Sequence, residues 1–182
     1  IIEEYKPGIA TRDVWSSLGR HERDALARRI AAILADLHST PHDLLPRLSG
    51  IWGRWREHAA LRATNCLEKL AAMEMSPGRH LPTSLLADME DFLRTRAGDL
   101  LGSIPDSSLR LIHNDLTEDH LLVERQGEGG ESWRITALLD YGDAKLGLVH
   151  EEWVVLGIGL FEGDAEAMRT FLDKYRLLTG AT

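Results

Sequence analysis

The hydrophobic period of this chain switches from helical to strand-like near residue 109, and that change limits the fold more than any other feature. Upstream the pattern is helical: Leu26, Ile30, Ile33, Leu34 and Leu37 recur at helical spacing between Gly19 and His38, with Arg23, Asp24, Arg28 and Arg29 on the other face. Ser39-Thr40-Pro41 ends this helix, because proline removes a donor and restricts the residue before it. A second helix is expected from about Ile51 to Met73, anchored by Trp52, Trp55, Leu61 and Leu70. A third follows Leu81-Pro82-Thr83, with Leu85, Leu86, Met89, Phe92, Leu93 and Leu100 on one side. Downstream, Leu109-Arg110-Leu111-Ile112, Leu121-Leu122-Val123 and Trp133 to Leu139 read as strands, and the glycine-rich run from Gln126 to Glu131 closes a hairpin. Two helices, about His150 to Phe161 and Asp164 to Tyr175, complete the chain, the last with Asp164 as its N-cap. The expected fold class is α+β and mostly helical, with a small β-hairpin region.

A length of 182 residues is enough for one domain with its own core. No apolar run approaches the roughly 20 residues of a membrane helix, so a membrane span is excluded. A net charge of -8 argues against a nucleic-acid partner, since such proteins neutralise phosphates with a basic face, and suits a cationic substrate. The single cysteine, Cys66, forms no internal disulfide, and no leader precedes the first strand-like residues; both point to the cytoplasm. The chain opens on Ile1 rather than Met, and the expectation is that something upstream is missing.

Chemistry-bearing side chains concentrate where the period changes. The run from His113 to His120 holds His113, Asp115, Glu118, Asp119 and His120, and Asp140-Tyr141-Gly142-Asp143 follows the strand ending at Leu139. Two acidic loops, each delivered by an apolar strand, form the pattern from which a functional site is built.

On these residues the chain resembles the aminoglycoside and macrolide phosphotransferase superfamily, small-molecule relatives of protein kinases. The family's catalytic-loop pattern, His-x-Asp, four residues, then Asn, falls on His113, Asp115 and His120, and the Asp of its metal-binding loop on Asp140. Macrolide phosphotransferases are similar in carrying His at the position of His120. Glu4-Tyr5-Lys6-Pro7-Gly8 looks like the hinge between lobes, Ala35-Asp36-Leu37-His38-Ser39 like the end of the first large C-lobe helix. Glu152 falls where the family often has an aspartate that steadies the core. The resemblance implies a kinase-like C-terminal lobe over residues 9–182, preceded by a hinge remnant at 1–8 and an N-terminal lobe missing from this chain. No Gly-rich phosphate loop, Walker pattern or Val-Ala-x-Lys strand is found in these residues. It further implies γ-phosphate transfer from ATP or GTP to a hydroxyl on a small molecule, an antibiotic or a metabolite. Asp115 would accept the hydroxyl proton. Asp140, helped by His120, would hold Mg²⁺, with Mn²⁺ possible because imidazole is a softer ligand than an amide oxygen. His113 would support the loop by hydrogen bonds. Asp143 is a further ligand or a structural carboxylate, and Glu4, Tyr5 and Lys6 would meet adenine through their backbone.

Two other readings stay open: a non-catalytic kinase-like binding module, and a metal-dependent phosphohydrolase using His113, Asp115, His120 and Asp140 together. Tyr141 is expected to pack. His21, His42, His58, His80 and His150 read as surface or packing residues, and Glu22, Asp24 and the arginines after them as a solvated helix face.

Overall fold

The computed structural model describes residues 7–41, 55–74, 82–127 and 132–180. The hinge residues Glu4, Tyr5 and Lys6, together with Trp52 and most of the glycine-rich turn, lie outside them. The described chain forms two compact units, one from the residues before 49 and after 109, the other from those between.

The first unit is built on α1 (Arg20–His38) and α6 (Ala165–Thr179), which pack on each other. The expected apolar stripe of α1 is present, turned slightly toward its alanines: Leu26, Ala27, Ile30, Ala31, Leu34, Ala35 and His38 are buried. The Gly19 N–H donates to Glu22 at the start of α1, and the N–H groups of Ser39 and Thr40 return to carbonyls of its last turn. Phe171 and Tyr175 of α6 are stacked, and Phe161 stacks on Trp15.

A three-stranded antiparallel sheet lies against this pair in the order β1-β3-β4, with β1 at Ile9–Ala10, β3 at Leu121–Gln126 and β4 at Ser132–Leu138. The expected hairpin is therefore present, with one irregularity. Leu122 pairs with Ala137 but Val123 with Ile135, which leaves Thr136 as a bulge. Gly8 crosses above it at φ +142°, and a Cβ there would lie 2.5 Å from the Thr136 hydroxyl oxygen, so only glycine fits. A second, two-stranded sheet pairs β2 (Arg110–Ile112) with β5 (Lys145–Gly147). Neither β1 nor β5 is legible in the sequence, because Ile9–Ala10 and Lys145–Gly147 lack the alternating leucines that mark the stretch from Leu109 to Ile112.

The expected helix from His150 to Phe161 divides into α5 (Val149–Val155) and a π-helical turn, Leu156–Leu160. In the second unit, α2 (Trp55–Glu74) buries Trp55 and Leu70. The third expected helix is two, α3 (Thr83–Thr95) and α4 (Ala97–Ser103), because Arg96 leaves helical geometry at φ -122°. Of its expected apolar side, Leu86 is buried while Leu85, Met89, Phe92 and Leu100 are exposed.

The charged face of α1 is not a bare solvated surface. Asp164 caps α6 by accepting from the N–H groups of Glu166 and Ala167, and it pairs with Arg20 and Arg23. Asp24 receives Arg20 and the Thr170 hydroxyl, Glu22 accepts from the Trp133 indole, and Arg29 donates to the Trp133 carbonyl. The period of α1 shows which residues are polar but not that α6 returns to face them. The Ala167 N–H first, then Arg23, hold the Asp164 carboxyl below its ordinary value of 3.8, against the opposing effect of burial. The unfolded chain therefore takes up the proton first, and the stability that Asp164 contributes is lost as pH falls below about 4. In urea denaturation at pH 7, Asp164→Ala is expected to cost about 1–2 kcal/mol and Asp164→Asn, which keeps a capping oxygen, less than about 1 kcal/mol. The difference between Asp164→Asn and the wild type narrows as pH falls through that window.

Candidate active site

Both acidic loops leave the sheets on the same unit, and one residue ties them together. Leu139, directly before Asp140, donates its N–H to the His120 carbonyl (2.8 Å) and accepts at its own carbonyl from His113 Nε2 (2.7 Å). Because Nε2 of His113 donates, its Nδ1 is free to accept the Asp115 N–H, which lies at 3.4 Å. His113 is fully buried, and its ring meets the edge of Tyr141 at 4.8 Å between centroids. His113 thus bonds to both loops, while Tyr141, expected to pack, touches the His113 ring but is itself exposed.

His120 lies between the two carboxylates. Its Nδ1 is 2.6 Å from the Asp115 carbonyl, 3.2 Å from the Thr117 hydroxyl and 3.5 Å from Asp115 Oδ2, while Nε2 is 3.8 Å from Asp140 Oδ2. A carbonyl can only accept, so Nδ1 carries a proton, and Nε2 faces Asp140. The Asp115 and Asp140 carboxylates are 42% and 64% exposed, which leaves both open to a ligand. Asp143 is exposed at the end of the short turn that begins at Tyr141.

Backbone strain marks both loops. Asn114 has φ 69° and Asp140 φ 58°, a left-handed region that asparagine and aspartate tolerate better than most residues. Asp140 Oδ1 also accepts the Gly142 N–H at 3.2 Å, which fixes the turn after it. Such strain is retained where the surroundings over-determine it.

The surroundings here are a buried carboxylate. Glu152 is fully buried on α5, and its Oε1 accepts the N–H of His113 at 2.8 Å and of Asn114 at 3.3 Å. Its Oε2 lies 2.6 Å from His38 Nε2, at the end of α1. From the other side, the Thr11 hydroxyl and the Arg12 N–H donate to the Glu118 carbonyl, and Arg12 pairs with Asp119. The contributions of Thr11, Arg12 and Leu139 are not visible in sequence: Leu139 acts through its backbone, and Thr11 and Arg12 each lie 107 residues from their partners.

The residues present fit a hard divalent cation. Among the described residues no group of three or more His, Cys, Asp or Glu could hold a metal alone. Asp140 Oδ2 and His120 Nε2 lie 3.8 Å apart, wider than the roughly 3 Å between adjacent ligands at bonds of about 2.1 Å, so Asp140 is the hard donor on offer, and Mg²⁺ takes one or two protein ligands with phosphate oxygens and water completing its shell.

The helical unit, the small sheets and the paired acidic loops define a kinase-like phosphotransferase fold. A sequence model described as the phosphotransferase enzyme family matches residues 4–181, and the chain belongs to that family. No curated protein matches it. Among solved structures, the gentamicin complex of APH(2″)-IIa superposes with a TM-score of 0.57 at 18% identity over 97% of this chain and 56% of that one. A GDP and kanamycin complex of another APH(2″) enzyme gives 0.61 at 20% identity over 93% and 52%, and macrolide 2′-phosphotransferase type I gives 0.58 at 17% over 91% and 48%. The chain thus spans about half the length of the structures it matches.

Truncating Glu152 leaves the buried N–H of His113, the half-buried N–H of Asn114 and His38 without an acceptor. Glu152→Ala is expected to lower stability by about 3–5 kcal/mol in chemical denaturation, well beyond the effect of removing an exposed carboxylate such as Asp143.

Proposed function

We propose that residues 9–182 form the C-terminal lobe of a small-molecule O-phosphotransferase that transfers the γ-phosphate of ATP or GTP to a substrate hydroxyl. Residues 1–8 are read as the hinge to a nucleotide-binding lobe outside this chain, a reading supported by the coverage of about half of the matched structures. The observation that carries the proposal is the placement of two exposed carboxylates, Asp115 and Asp140, on either side of one imidazole in a chain of this family.

Asp115 is the base. Its backbone is held in the His113–Asn114 turn, its carboxylate is open to solvent, and an incoming hydroxyl hydrogen-bonded to it is both oriented and able to lose its proton late in transfer. Asp140, with His120 beside it, would hold Mg²⁺, or Mn²⁺. When bound, this ion neutralises charge on the phosphates. His113 couples the base to the metal-binding loop through Leu139, while Asp143 is a further acid at its margin. Backbone groups of Glu4, Tyr5 and Lys6 are assigned to the adenine. The acceptor is a hydroxylated small molecule. Gentamicin and kanamycin in the matched complexes support an aminoglycoside, the macrolide enzyme supports a macrolide, and the net charge of -8 favours a cationic acceptor. No described helix is long and apolar enough to cross a membrane, and we assign the enzyme to the cytoplasm, where its nucleotide donor and a reduced, exposed Cys66 are at home.

With full-length protein and Mg²⁺, transfer from ATP or GTP to a panel of aminoglycosides, macrolides and other hydroxylated acceptors is expected. Asp115→Ala lowers kcat by about 10²–10⁴-fold, and Asp140→Ala abolishes the dependence on Mg²⁺ concentration together with most of the rate. Undiminished turnover in Asp115→Ala removes the base assignment. Phosphate release from monoesters without nucleotide replaces the transferase by a hydrolase.

A further inference from the structure

The buried support of the catalytic loop does not end at His38. On its far side, His38 Nδ1 lies 2.7 Å from the hydroxyl of Tyr175, in the fourth turn of α6, and both side chains are buried. Hydrogen-bonding groups therefore run without a gap from Tyr175 through His38 and Glu152 to the N–H groups of His113 and Asn114, next to Asp115. The direction of the chain follows from chemistry. A carboxylate accepts, so Nε2 of His38 donates to Glu152; a neutral ring then has a lone pair on Nδ1, and only the Tyr175 O–H can fill it. Burial, first, and the charge of Glu152 push the Tyr175 hydroxyl up to about 12, so it keeps its proton.

We propose that Tyr175 is a positioning residue for the phosphotransferase reaction: its hydroxyl locks His38 in the Nε2–H tautomer, His38 in turn fixes the rotamer of Glu152, and Glu152 holds the turn that aims Asp115. The proposal rests on the assignment of Asp115 as base. Geometry explains why a residue so far along the chain has this task. The left-handed Asn114 turn is held by one carboxylate, and a carboxylate with a free oxygen can rotate away from the turn it holds. His38 removes that freedom only while its own ring is prevented from flipping, and Tyr175 is the group bonded to its other nitrogen. The ring of Tyr175 contributes separately, through contacts with Phe171, Trp153 and His38 itself. Removal of the hydroxyl alone therefore separates positioning from packing.

The test uses full-length protein and three measurements. Nitrogen-15 imidazole spectra of the wild type are expected to show His38 neutral and protonated on Nε2; a proton on Nδ1, in a neutral or doubly protonated ring, overturns the proposal even if no variant folds. In Tyr175→Phe, amide hydrogen exchange at His113 and Asn114 is expected to accelerate about tenfold or more, while Ile30 and Leu34 in α1 stay protected. Unchanged exchange at the two loop amides, or equal acceleration in α1, overturns it. Turnover of Tyr175→Phe with the acceptor found above is expected to fall about tenfold in kcat with KM unchanged. Selective loop exchange with unaltered kcat also overturns it, provided Asp115→Ala is inactive. If Asp115→Ala is fully active, the base assignment fails instead, and the exchange and tautomer results still report whether Tyr175 holds the loop.

Discussion

The site depends on one buried carboxylate. Glu152 is fully enclosed and makes contact with the end of the first long helix on one side and the turn before Asp115 on the other. A carboxylate in that position is costly unless each oxygen is matched, and here each is. The consequence is local rigidity at a turn that would otherwise relax, since Asn114 adopts a left-handed conformation with no glycine to ease it. Stability and chemistry meet at this residue, because the bonds that satisfy the buried charge also fix the backbone from which the exposed acid projects.

Around that anchor, the structure keeps its two acidic loops in register by backbone bonding more than by side-chain contact. Leu139 is bonded at both its N–H and its C=O, once to each end of the His113–His120 segment. His120 then sets its ring between the carboxylates by donating to a main-chain carbonyl. The exposed groups are free to engage ligands, and the buried ones hold them at a constant separation. This division of labour suits phosphoryl transfer, where positioning and charge neutralisation supply most of the rate.

Much of this was legible in the sequence, for identifiable reasons. Helical spacing in α1, the cap at Asp164 and the hairpin of β3 and β4 are local signals, and each was found where expected. Asp115, Asp140, His113, His120 and Glu152 could be named from their spacing and the resemblance they carry. What stayed hidden depends on long-range return of the chain. The pairing of Arg20 and Arg23 with Asp164, the strands β1 and β5, and the bond of Arg12 to Asp119 join residues far apart in sequence. Tyr175 was hidden differently: at helical spacing from Phe171 it reads as one more core aromatic, and only its hydroxyl contact distinguishes it. The break at Arg96 had no proline beside it, and Gly98-Asp99 two residues on lay inside a stretch whose apolar spacing ran through to Leu100, so one periodic stretch concealed two helices.

The double bonding of Leu139 also limits how such a protein can be switched. A metal-bearing loop that hangs from one hinge can swing out and leave an idle form, and compounds can trap it there. In this chain an outward swing of Asp140 means tearing a main-chain bond from His120 and stripping the buried His113 ring of its acceptor. Under the proposed function, control would come from the arrival of nucleotide and acceptor, and a blocker would compete at the open mouth, where Asp115 and Asp140 face the solvent.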